Sequence, residues 1–257
     1  MRAQTLPPAS GWRWIFAGVA IFRRNPVMLG MLVVAYWFTI LFLNILPVIG
    51  SVAASLAIPG LSVGLMQAAR NLERGQSIGL QTLYGSMKEN GRTLLALGAL
   101  YLCCTLGVLG LSTLIDGGAL FQYMLAANRT ERAAVEDADF ILPLLFVMLL
   151  MAPVLMAYWF APVLAAWHRL SVGKALFFSF VACWINWRPF LAYGIGLILV
   201  GGILPGLLLG VLLLIAPGAA GIVTAFVTLP MVLVVAPVVF ASFYACYRDI
   251  FGISEIV

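Results

Sequence analysis

The stretch LGMLVVAYWFTILFLNIL, residues 29–46, runs eighteen residues without a charge, and runs of this kind recur along the whole chain. A hydrocarbon core of about 30 Å is crossed by roughly 20 helical residues, so such a run is long enough to span a bilayer. It does not alternate apolar with polar side chains as a barrel strand would, which excludes a transmembrane barrel. Lipid offers no hydrogen bonds, and a helix pairs its backbone groups internally. Composition agrees, with 64% of the 257 residues apolar and 9% charged, where soluble domains carry about a quarter charged residues. The expected fold is therefore all-α integral membrane, in a single domain over 1–257.

Apolar length and its breaks place six transmembrane helices at 26–46, 48–69, 93–115, 140–167, 189–215 and 219–247. The first pair turns at Pro47 and the third at Ala216-Pro217-Gly218, while the middle pair is joined by a polar loop from 116 to 139. Spans four and six carry internal prolines, Pro153 and Pro162 in one and Pro230 and Pro237 in the other, which predicts tilting or kinking. The first apolar run is longer than a secretory h-region and has no convincing cleavage site after it, so it is expected to stay attached as the first span.

Basic residues retained on the cytoplasmic side set orientation. With both termini cytoplasmic, twelve of the fourteen Lys and Arg residues fall inside and only Arg129 and Arg132 fall outside, beside Asp116, Glu131, Glu136, Asp137 and Asp139. The net charge of +5 is thereby a topology signal, and nucleic acid is not an expected partner. The four cysteines, Cys103, Cys104, Cys183 and Cys246, lack CxxC spacing and sit in or beside apolar segments, as free thiols acting as small hydrophobes do. The acidic stretch ERAAVEDAD (131–139) lacks an EF-hand's spacing and reads as a solvated outer loop. No cofactor and no metal site are expected.

One phrase recurs at the basic ends of the odd spans: RRNPVMLG at 23–30, NGRTLLALG at 90–98 and NWRPFLAYG at 186–194. Each follows a segment suited to the membrane surface. In 11–24, Trp12, Ile15, Phe16, Val19 and Phe22 form an apolar face opposite Arg13, Ala17, Ala20 and Arg24. In 77–89, Leu80, Leu83, Tyr84 and Met87 are helically spaced, and 171–185 is nearly all apolar, so it should lie deeper or pack under other helices. The even spans exit as AARNLERG (68–75), AWHRLSVG (166–173) and CYRDIFG (246–252), each with an arginine, then Leu or Ile, then glycine. The unit of surface helix, basic elbow, span, turn, span and basic exit is written three times, over 11–75, 77–170 and 171–252. Two crossings per unit make these parallel repeats.

With RRNPVMLG, NWRPFLAYG and proline-bearing even spans, nearly the whole chain resembles an uncharacterised bacterial family of six-span inner-membrane proteins. More loosely it resembles the membrane domain of glycerophosphodiester phosphodiesterases, whose soluble catalytic domain is absent from this sequence. The resemblance implies architecture and an inner-membrane location, and no chemistry is carried over.

Two roles suit Arg24, Asn25, Asn90, Arg92, Asn186 and Arg188. As elbows, the asparagines accept a left-handed turn, Pro26 and Pro189 start the next helix, and the arginines hold the bend at the interface. As an anion site, the guanidinium groups contact anionic lipid on the cytoplasmic face. Gly202, Gly206 and Gly210 form a small-xxx-small ridge, and Gly60 with Gly64 a shorter one, both expected to pack helix on helix within the chain. His168 is the sole histidine, at a helix end without a partner carboxylate, and no catalytic constellation is apparent. Small polar residues in the spans, among them Asn44, Ser55, Ser62, Gln67 and Thr105, are expected to bond helix to helix or back to their own backbones.

The expected function is non-enzymatic: a structural, assembly or lipid-interacting protein of the inner membrane, with membrane lipids and a membrane protein as partners. The alternative is a transporter or channel for a small or amphipathic solute, which requires a polar cavity reaching the midplane.

Overall fold

The computed structural model describes residues 3–46, 49–125 and 141–252. They form α1 (Ser10–Phe22), α2 (Pro26–Leu43), α3 (Ile49–Glu73), α4 (Leu80–Asp116), α5 (Ala119–Leu125), α6 (Ile141–Trp159), α7 (Ala161–His168), α8 (Val172–Ile185), α9 (Trp187–Ile198), α10 (Leu204–Ile215) and α11 (Ala220–Phe251). Six stretches are long and apolar enough to cross a membrane: Pro26–Leu43, Ile49–Glu73, Asn90–Asp116, Ile141–His168, Trp187–Ile215 and Ala220–Phe251. They match the expected spans within a few residues, and the molecule is an all-α integral membrane protein. The turn at Pro47, the start of span four at Phe140 and the acidic loop with Arg129 and Arg132 lie outside the described residues. A short 3₁₀ turn, Pro217–Ala219, joins α10 to α11.

The expected kink in span four is a break between α6 and α7. Pro162 has no N–H to bond back into the preceding turn, and the hydroxyl of Ser179 on α8 enters the gap. Its Oγ donates to the Met156 carbonyl at 2.8 Å and accepts from Phe160 N–H at 2.9 Å. A side chain inserted into the helical ladder is a recognised cause of a sharp bend. Span six runs through Pro230 and Pro237 as one helix, and span five carries a π-helical turn at Leu199–Ile203.

Two of the three predicted surface helices are placed differently, and the third packs under other helices as expected. Helix α1 wedges between α9 and α11, where Gly11 meets backbone at Pro189 and Tyr193 and Gly18 meets backbone at Val238 and Ser242. Its buried stripe includes Gly11, Trp14, Ile15, Gly18 and Ile21, so of the expected apolar face Ile15 packs against protein while Trp12 and Phe16 point outward at 38% and 69% exposure. Both stripes are apolar, and periodicity does not say which meets protein and which meets lipid.

The segment from Leu80 is no separate surface helix. It continues into span three as α4, bent at Asn90, and lies along α3 with Leu83 against Gly64 and Met87 against Gly60. Here the shorter glycine ridge packs as expected. Helix α8 packs under α6 and α7, burying Ala175, Ser179, Ala182 and Cys183.

The core lies toward the end of the bundle where α3, α7 and α11 finish, hereafter the basic end. Phe160 is fully buried and touches the rings of Phe190, Phe243, Tyr247 and Phe251. Trp14 joins from α1 by contacts with Phe190 and Tyr193. Away from that end, Leu207, Leu214, Ile222 and Phe226 face outward, as side chains that meet lipid do.

Candidate functional site

At the basic end, α3 finishes with Glu73 and α11 with Arg248 and Asp249. Glu73 forms an ion pair with Arg248 and accepts from Tyr244 Oη–H at 2.7 Å. Asp249 accepts from Arg248 at 2.8 Å and from the Trp14 indole N–H at 3.2 Å. The ion pairs among the described residues, Glu73–Arg248 and Arg248–Asp249, join α3 to α11, and the Trp14 hydrogen bond adds α1. Arg24 adds a fourth element, donating to the carbonyls of Leu72 and Glu73, where the last carbonyls of a helix need outside partners.

The six elbow residues divide by what they touch. Asn25 caps α2, its Oδ1 accepting from Met28 N–H at 3.2 Å, ahead of Pro26. Asn90 bends α4 with φ −128° and ψ 24° and donates to the Ala166 carbonyl at 3.1 Å. Asn186 is buried with a similar backbone, φ −111° and ψ 24°. It accepts from Leu6 N–H at 2.9 Å and donates to the carbonyls of Gln4 and Ala182.

None of the three is left-handed, contrary to expectation, because each bend is completed by side-chain hydrogen bonds. Among the described residues the positive φ outside glycine belongs to Arg169, which ends α7. Exit glycines Gly75 and Gly252 are left-handed, and Gly173 is not. Arg24 is likewise engaged with backbone, whereas Arg92 and Arg188 are exposed, the latter with its guanidinium 5.3 Å from the Trp187 ring centroid. No hydrogen bond or ion pair joins one elbow to another among the described residues.

Arg23, Arg74, Lys88, Arg169 and Lys174 are exposed as well. The aromatic side chains of Trp12, Phe16, Phe177, Trp184 and Trp187 also point outward. His168 lies 2.7 Å from the Tyr247 hydroxyl, and the guanidinium of Arg70 sits 4.8 Å from the Trp167 ring centroid. At Gly202, Gly206 and Gly210 an added Cβ would meet nothing within 4 Å. That ridge touches no other helix of the described chain, and the expected packing there is corrected. The close approaches fall instead at Gly11, Gly18, Gly50, Gly64 and Gly98, each against another element's backbone.

A cavity of about 440 Å³ opens between α3, α4 and the end of α7. Gln67, Asn71, Gln81, Thr82, Ser86 and Asn90 supply its polar lining, with Val63, Gly85, Ala166 and Trp167. A second cavity of about 200 Å³, mostly apolar, is lined by Ser55, Ser62, Tyr101, Tyr158, Trp159 and neighbours. In it the Tyr158 hydroxyl and Trp159 indole N–H are buried without a hydrogen-bond partner. Gln67 lines the first cavity and Ser55 and Ser62 the second, where the sequence pointed to bonds between helices or to backbone, and sequence reasoning missed Asn71, Glu73, Trp14 and Asp249 as functional positions. The spacing of Gln67 and Asn71, four apart on one helical face, was the available signal for the first of these. Asn44, Ser55 and Thr105 bond back to carbonyls four residues earlier, as expected, and Thr39 does the same.

The chain is 36% identical over 252 residues to "Probable inner membrane protein BTH_II0599" of Burkholderia thailandensis, covering 96% of this chain and 92% of that protein. No protein-family model matches the chain, and no solved structure matches it. These comparisons show no link to the glycerophosphodiester phosphodiesterases.

Proposed function

The chain belongs to the same family as the Burkholderia thailandensis inner-membrane relative, and from that premise we propose a non-enzymatic, multi-pass protein of the bacterial inner membrane that binds anionic lipid at its basic end. The positive-inside rule puts that end and both termini in the cytoplasm. The observation that carries this reading is an imbalance of partners. Among the described side chains, Glu73 and Asp249 are engaged by Arg248, Tyr244 and Trp14, and Arg92, Arg188 and the other exposed cations face the surface. Outward tryptophans beside them suit the headgroup level of a membrane. Of the elbow residues, Arg92 and Arg188 are the lipid contacts, and Arg24, Asn25, Asn90 and Asn186 hold the fold.

The three-unit reading over 11–75, 77–170 and 171–252 has support in how the leading helices pack. The 80–89 segment of unit two lies on α3 of unit one, α8 of unit three on α6 and α7 of unit two, and α1 of unit one on α9 and α11 of unit three. Each leading helix covers the unit before it, so the three close on themselves, as a scaffold's would. The transport alternative draws on the two cavities, but these share no lining residue among those described, which favours the lipid-binding scaffold.

Native mass spectrometry of protein extracted in mild detergent tests the proposal. A basic side chain near an anionic surface contributes about 1 kcal/mol, so Arg92→Gln with Arg188→Gln should weaken anionic-lipid retention roughly 30-fold. Equal retention of zwitterionic and anionic lipid by the parent protein would overturn it.

A further inference from the structure

We propose that the 440 Å³ cavity is a binding site for a hydroxyl-bearing polyol group, such as the glycerol of a phospholipid headgroup or a free polyol. This deepens, and rests on, the lipid-binding reading. The volume is within the usual range of small-molecule sites, roughly 300–1,000 Å³. The gap is braced and is no product of loose packing. Beside it α3 and α4 are in backbone contact at Gly64, and Asn90 leaves helical geometry to hold the end of α7 by the Ala166 carbonyl.

The spare hydrogen-bonding capacity of the lining names the ligand. Gln67 Nε2 donates to Asn71 Oδ1, which leaves Asn71 Nδ2 as a donor and Gln67 Oε1 as an acceptor. Ser86 Oγ donates to the Gly60 carbonyl, and Asn90 Nδ2 to Ala166, so both keep acceptor oxygens. Thr82 Oγ1 accepts from Gly79 N–H and keeps its own proton to give, and Gln81 offers both roles. None of the described lining residues is charged.

A mixed set of donors and acceptors matches hydroxyl groups, which both give and take. A bare phosphate or carboxylate would leave the acceptor oxygens opposed, and an ammonium would leave the donors unmatched. Exposed Arg74 continues the Gln67, Asn71 face by one turn, and Lys88 the Gln81, Gly85 face. Cations at those positions suit a phosphodiester attached to the polyol.

The test is native mass spectrometry of the full chain in mild detergent with dioleoyl phosphatidylglycerol and dioleoyl phosphatidic acid, both anionic, of which only the first has a glycerol headgroup. The parent protein should prefer phosphatidylglycerol by about tenfold, the worth of one to two net hydrogen bonds. Gln81→Leu, at an exposed position, should abolish that preference while leaving phosphatidic acid binding and the melting temperature unchanged, and Gln67→Leu should abolish the preference as well. Arg92→Gln with Arg188→Gln should weaken both lipids alike and keep the preference. Displacement of phosphatidylglycerol by glycerol 1-phosphate would assign the site to a free polyol phosphate, and resistance to displacement to the lipid itself; either supports a polyol site. Equal binding of the two lipids by the parent protein, or a preference untouched by both glutamine variants, overturns the cavity's assignment even if anionic-lipid binding stands. Should Gln67→Leu fail to fold, Gln81→Leu decides alone.

Discussion

Alanine at Gly64 and alanine at Gly206 should shift stability in opposite directions, although both glycines sit within helices in small-residue ridges. At Gly64 the new Cβ collides with the backbone carbonyl of Leu83, and relief requires α4 to move away from α3. Overpacking costs about 1–3 kcal/mol, and the upper part of that range applies because the obstacle is backbone. Replacing a helical glycine by alanine recovers about 1 kcal/mol of backbone entropy. The expected net effect of Gly64→Ala is a loss of about 2 kcal/mol. At Gly206 nothing lies within 4 Å of the added carbon, so only the helix-propensity gain of at most about 1 kcal/mol remains. Thermal unfolding in mild detergent, followed by circular dichroism, reads the difference. At about 2–4 °C per kcal/mol for a chain of this size, the two variants should melt roughly 6–12 °C apart. Equal melting temperatures, or a Gly206→Ala protein less stable than Gly64→Ala, would refute the reasoning.

Asn186→Leu leaves Leu6 N–H and the Gln4 carbonyl without partners, and should cost about 2–3 kcal/mol; hydrogen exchange should show faster exchange of the Leu6 amide, and continued protection would mean that Asn186 does not clamp the N-terminal segment. Ser179→Ala removes the hydroxyl bridging Met156 and Phe160, with an expected loss of about 1–3 kcal/mol, read as an earlier thermal midpoint. Burial pushes the Cys183 thiol up to about 12, and since the thiolate is the reactive form, a maleimide should not label Cys183 in folded protein between pH 7 and 9. Labelling after denaturation in SDS but not before is the expected pattern.

Much of the fold was legible because length alone selects a spanning helix: six apolar runs gave six spans, and the break in the fourth lies next to Pro162. The elbows were legible as places where the chain bends, and Asn25 and Pro26 start α2 as their residue types predict. What the reading missed were partnerships across long separations. Asn186 holds Leu6, Glu73 holds Arg248, and Asp249 holds Trp14, pairs more than 170 residues apart. Asparagine's tolerance of left-handed backbone is a local property, and here side-chain bonds complete the bends without it, those of Asn90 and Asn186 reaching carbonyls far along the chain.

Hydropathy and the distribution of basic residues by themselves determined the class of protein, the number of crossings and the basic end. They act through transfer to lipid, which depends on each segment's own composition. Which stripe of each helix is buried was decided only in three dimensions. Lipid is as apolar as a protein interior, so an outward Phe16 and an inward Ile15 look alike in sequence. The glycines make the same point: Gly64 and Gly206 stand in similar local sequence, and only the approach of Leu83 makes the first a point of contact.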